Sequence, residues 1–66
     1  MKIKIIEVDH KLITLADCGF RIGDVVEVSG RHKSGNLSVQ AIRDTEFVSI
    51  GSEIIVQEDE YEVIEE

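Results

Sequence analysis

His10, Cys18 and His32 are the residues whose types suit a transition metal, because imidazole nitrogen and thiolate sulfur are its common protein donors. A compact site draws its donors from pairs a few residues apart, and no two of these three are so spaced. They read instead as two loop histidines and a buried or half-buried thiol. Ser29, Ser34, Ser38, Ser49 and Ser52 supply hydroxyls, but the G-x-S-x-G turn that presents a serine nucleophile does not occur. No glycine-rich phosphate loop is present. Glu58-Asp59-Glu60 lacks the alternating ligand spacing of a calcium loop. Carboxylate pairs for glycoside chemistry can be picked anywhere in so acidic a chain, so picking them carries no information. The expectation is a non-enzymatic protein with no cofactor and no metal.

The one chemically suggestive feature is how charge is distributed. Seven bases and five acids precede Asp44, whereas nine acids and no base occupy the remainder. The net charge of −7 disfavours nucleic acid and anionic membrane as partners and favours a basic protein surface. Three readings of the acidic end stand side by side. A last strand lying beside the first would place Glu60 or Glu62 opposite Lys2 or Lys4, each such pair contributing roughly 0.2–1 kcal/mol and helping to fix register. The remaining acids could serve solubility alone, since charge runs are usually solvated faces. Alternatively Glu53, Glu58, Asp59, Glu60 and Glu62 form an acidic face that docks on a basic protein or imitates nucleic-acid phosphates.

A contrary reading rests on the basic residues. Arg31-His32-Lys33 falls at a turn and Arg21 in an earlier loop, and small barrels can bind nucleic acid through such loops when aromatic platforms lie nearby. The aromatics here are Phe20, Phe47 and Tyr61. Phe47 is expected in a strand and in the core, and Phe20, flanked by glycines, as a loop anchor. A proline-peptide groove would want several exposed aromatics, and these are missing.

The elements that must position these residues are short strands. Met1–Val8 alternates lysine with isoleucine, so Ile3 and Ile5 point inward and Lys2 and Lys4 into water. Asp9-His10-Lys11 is a polar break. Leu12–Ala16 suits either a strand extension or one helical turn. Gly19 and Gly23 bracket a sharp turn. Val25–Ser29 is a strand with Val26 and Val28 on one face, and Gly30–Asn36 carries turn chemistry. Leu37–Ala41 alternates with Leu37, Val39 and Ala41 inward, completing a hairpin. Arg43-Asp44-Thr45 is expected to turn, Glu46–Ile50 to form a strand, Gly51-Ser52 to turn again, and Glu53–Gln57 and Tyr61–Ile64 to form the last strands. Five or six short strands without proline or an amphipathic helix argue for an all-β single domain spanning residues 1–66. Such a chain avoids open edges by closing on itself, and a small SH3-like β-barrel fits the length, with Asp9–Ile22 as its long first loop. An open five-stranded sheet or a truncated oligonucleotide-binding-type barrel is the runner-up.

With 66 residues and a single cysteine, the core is small and no internal disulfide can staple it, so barrel closure or a homo-oligomer is the expected route to stability. The lone thiol and the lack of a signal peptide point to a reducing, cytoplasmic setting, and no apolar run approaches the roughly 20 residues that span a bilayer.

The lysine/isoleucine opening, the segment Gly19-Phe20-Arg21-Ile22-Gly23-Asp24-Val25-Val26-Glu27-Val28, the glycine turn after it and the closing Asp59-Glu60-Tyr61-Glu62-Val63-Ile64 together resemble small phage and prophage proteins with an SH3-like β-barrel. That resemblance implies a compact binding module engaging a host or phage protein, an adaptor or inhibitor, and carries no catalytic residue. Leu15 through Val28 is also similar to the leucine, glycine and valine spacing of the FeoA-type accessory domain of ferrous-iron uptake, which implies a regulatory domain of a transporter. The chain departs from that family after Val28, where it lacks the proline-containing loop and runs on to an acidic last strand.

Overall fold

The computed structural model describes residues 1–9 and 14–66. His10 and the start of the Leu12–Ala16 segment lie outside the described residues. Five strands, β1 (Lys2–Ile5), β2 (Val25–Arg31), β3 (Leu37–Gln40), β4 (Glu53–Val56) and β5 (Tyr61–Glu65), form one antiparallel sheet in the order β4-β3-β2-β1-β5, with a 3-10 turn at Glu58–Glu60 before β5. The protein is thus nearly all-β, as its pattern of short alternating runs requires. Among the described residues no ladder joins β4 to β5; the 3-10 turn links them.

Alternation places the core. Ile3, Ile5, Val26, Leu37, Val39 and Val56 point to one side of the sheet, and Leu15, Cys18 and Phe20 from the long β1–β2 connection cover them. A chain this small needs that cover, because one face of a five-stranded sheet cannot bury itself. The thiol of Cys18 is accordingly buried.

The cover is held by local chemistry. Thr14 and Asp17 cap one another, Asp17 N–H donating to Thr14 Oγ1 at 3.1 Å and Thr14 N–H to Asp17 Oδ2 at 3.2 Å. One helical turn follows, so the second of the two readings of this segment is the one realised from Thr14 on. Gly19 ends the turn at φ 89°, a conformation that costs a side-chain-bearing residue about 1–2 kcal/mol. The Phe20 N–H then reaches back to Leu15 C=O at 2.9 Å and the Gly19 N–H to Ala16 C=O at 3.1 Å, the paired bonds of a left-handed helix end. Leu15 and Phe20, brought together by that end, are 1% and 2% exposed.

Three expectations give way. Glu46–Ile50 is not a strand, and Phe47 is 58% exposed rather than in the core. Short polar side chains capture the backbone there: Thr45 Oγ1 accepts from both Phe47 and Val48 N–H at 3.1 Å, and Asp44 Oδ1 accepts from Ile50 N–H at 2.8 Å. The segment becomes part of a long β3–β4 loop, closed by Ala41 N–H to Ser52 C=O and Gly51 N–H to Ala41 C=O. Gly30, expected in the turn, instead lies within β2 beside a register shift between Val28 and Gly30, and the turn begins after Arg31.

Candidate protein-binding site

Where the β2–β3 turn meets the 3-10 turn, Ser34, Asn36, Gln57, Glu58 and Asp59 line an open cleft of ≈ 480 Å³. All five side chains offer oxygen acceptors and none is basic, so the cleft is suited to a cationic or multiply donating group. The sequence reading marked Glu58 and Asp59; it missed Ser34 and Asn36, which were legible only as turn residues, and Gln57, which was read as the end of a strand.

One hydrogen bond joins the two walls, and local geometry shapes each of them. Tyr61 Oη donates to Gly35 C=O at 2.7 Å, tying the first residue of β5 to the hairpin tip. Gly35, at φ 87°, has no side chain, and a Cβ there would stand 2.8 Å from Glu58 Oε2. The Gln57 N–H donates to Glu60 Oε1 at 2.8 Å while the Glu60 N–H donates to Gln57 C=O at 2.9 Å, which folds the acidic run into its turn. Removing the Tyr61 hydroxyl should therefore loosen the cleft without emptying the core. Tyr61→Phe is expected to lower stability by about 0.5–1.5 kcal/mol in urea denaturation and to speed amide exchange across Ser34–Asn36. Unchanged exchange at the tip would show that the bond does not hold it.

The five acids proposed from sequence do not form one face. Glu58 and Asp59 share the cleft. Glu60 is fully buried at 0% exposure, so it is withdrawn from the surface; the 3-10 turn rotates it inward, where its carboxylate caps Gln57. Glu62 is the cross-strand partner of Lys4, and Glu65 of Lys2, so the expected pairing of the last strand with the first is realised with Glu62 in place. Glu53 lies at the start of β4 opposite Gln40, the far end of that strand from the 3-10 turn.

The basic residues are not one cluster either. Arg31 ends β2 and His32 and Lys33 follow it, whereas Arg21 sits just before β2 begins. A seven-residue strand puts those groups roughly 20 Å apart. His32 Nε2 lies 2.7 Å from Ser38 Oγ, a hydroxyl only 1% exposed, and Arg31 reaches Met1 Sδ at 3.6 Å. Nucleic-acid contact through all four residues would thus require a ligand spanning the length of β2. Among the described residues no cluster of histidine, cysteine and acidic side chains has the arrangement of a metal site.

Arg43 has a structural task. Its guanidinium holds Asp24 with Nη1–Oδ2 at 2.7 Å and Nη2–Oδ1 at 3.3 Å, and Nη1 also donates to Gly19 C=O at 2.7 Å. Asp24 Oδ2 further accepts from the Arg21 N–H at 2.8 Å. These bonds pin the β3–β4 loop to the turn that opens β2. The Arg43 guanidinium holds the Asp24 carboxyl below its ordinary range, against a smaller opposing effect of burial and with help from the Arg21 N–H.

No protein family, curated protein or solved structure matches the chain. Among the described residues no helix is long and apolar enough to cross a membrane.

Proposed function

We propose that this chain is a non-enzymatic binding module that engages a basic protein surface through the cleft between the β2–β3 turn and the 3-10 turn. The carrying observation is the lining: two carboxylates and three neutral acceptors converge on one opening, and among the described residues that line it none is basic. A lysine or arginine side chain of a partner would find charge-assisted acceptors there, and the surplus negative charge of the whole chain would speed encounter and exclude acidic partners. The strand order, with a 3-10 turn before the last strand, is compatible with an SH3-like barrel. The opening and closing segments that resemble small phage and prophage proteins make an adaptor or inhibitor of a host or phage protein the role that fits best.

The test is affinity capture with wild type beside Glu58→Lys/Asp59→Lys, leaving the buried Glu60 intact. The wild type is expected to retain a basic protein that elutes with salt, and the double variant to bind it at least about tenfold more weakly, a change of about 1.4 kcal/mol, with an unaltered melting curve. Equal capture by both at low salt would remove the cleft from the account.

A further inference from the structure

β5 ends the sheet, and among the described residues no strand lies beyond it. An edge strand offers unpaired backbone N–H and C=O groups to any extended chain that can approach. The ladder with β1 identifies which groups these are. Ile6 N–H donates to Glu60 C=O at 3.0 Å. From there the register runs Ile5↔Tyr61, Lys4↔Glu62 and Ile3↔Val63. Bonded and non-bonded pairs alternate along an antiparallel ladder. Glu60 and Glu62 therefore turn their main-chain groups toward β1, and Tyr61 and Val63 turn theirs to the open edge. Beyond Val63 the register slips so that Lys2 faces Glu65, which limits the regular edge to Tyr61–Val63 and its neighbours. Glu62, Val63, Ile64 and Glu65 are all exposed, so no side chain of the described fold covers this edge.

Charge selects the occupant. A second copy pairing antiparallel through these groups, with Tyr61 opposite Val63 of its twin, would set the two Glu62 carboxylates directly against each other, and like charges facing across strands are destabilising. A strand carrying lysine or arginine would instead set a cation beside Glu62 on the side away from Lys4. We propose that the β5 edge receives an extended, lysine- or arginine-bearing segment of a partner protein by strand addition, with main-chain hydrogen bonds at Tyr61 and Val63 and a cation beside Glu62. The proposal shares with the cleft reading only the basic character of the partner; the surface and the kind of contact are different.

The experiment uses the full chain and a synthetic capped peptide of alternating lysine and valine, with a second peptide carrying N-methyl groups on every other residue as control. Amide exchange is followed residue by residue. At a peptide concentration roughly ten times its Kd, exchange at the Tyr61 and Val63 N–H groups is expected to slow by about tenfold, and the N-methylated peptide to give no such protection. Glu58→Lys/Asp59→Lys should keep that protection, whereas Glu62→Lys should reduce it. Equal effects of the two peptides would mean attraction of charge without strand pairing, and would overturn the proposal. Perturbation confined to Ser34, Asn36, Glu58 and Asp59 would overturn it while sparing the cleft. Protection that appears with rising protein concentration and no peptide would replace it with self-pairing.

Discussion

Replacing Phe20 by alanine is expected to leave the domain largely unfolded at room temperature. Phe20 is the largest of the fully buried side chains and is 2% exposed. Truncating a buried phenylalanine costs about 3–5 kcal/mol, made up of lost transfer energy and the cavity left behind. A single core in a chain this short supplies no more than about 3–5 kcal/mol in total. The two figures are equal within their spread, so the variant has no margin. The effect is not local, because Phe20 is the point at which the long β1–β2 connection is seated on the sheet beside Leu15 and Cys18. Phe47→Ala is the matched control: the same atoms are removed from a ring that is 58% exposed, and the change should stay within about 0.5 kcal/mol. Circular dichroism and thermal melts of the two variants read the contrast. A cooperative melt for Phe20→Ala within a few degrees of wild type would mean that the connection does not cover the core.

The difference between these two phenylalanines also shows what the sequence could reveal. Alternation in Lys2–Ile5, Val25–Val28 and Leu37–Ala41 specified the inward faces correctly, because a half-buried strand leaves a period-two signature and a slip of one residue would expose every buried side chain. The Lys4–Glu62 pairing was legible for the same reason, charge adding to pattern. Phe20 was legible as an anchor because two glycines bracket it. Glu46–Ile50 misled, since its apolar residues mimic a strand, and what decided the matter was Thr45 and Asp44 catching the following N–H groups. A Thr-x-x or Asp-containing stretch ahead of an apolar run carries that signal, though weakly.

Glu60 is a different kind of miss. A run of three acids reads as a solvated corner, yet residues three apart eclipse in a 3-10 turn, which lays Glu60 over Gln57. The spacing of Gln57 and Glu60 matches a capping box and was the available clue. The Tyr61–Gly35 bond, which shapes the cleft, joins residues 26 positions apart and leaves no local trace at all. Hence the acidic end was visible as composition but not as a site: only tertiary structure separates Glu58 and Asp59, which share an opening, from Glu60, which is buried, and Glu62, which faces Lys4.

The same logic makes Asp24 the residue through which acid should weaken the fold. Its folded pKa is depressed, first by the Arg43 guanidinium, and in the unfolded chain it returns to the ordinary aspartate value of about 3.9. A depressed carboxylate stabilises the native state fully at pH values above its unfolded pKa, and that contribution is lost as pH falls toward and through the folded pKa. Wild type should therefore exceed Asp24→Asn by about 1–2 kcal/mol at neutral pH, a value set below the sum of three charge-assisted bonds because the pair is partly solvated. The gap should begin to close near pH 5, roughly one unit above the unfolded value, and go on closing as pH falls through the depressed folded pKa. The chain carries thirteen other acidic side chains, so the absolute stability of wild type cannot isolate the effect; the difference between the two proteins can. Urea midpoints of both, taken at neutral pH and at two acidic values, give that difference directly. A gap that stays constant with pH would mean that the Asp24→Asn change removes a bond geometry rather than a charge, and the Arg43 guanidinium would then be holding the loop by shape alone.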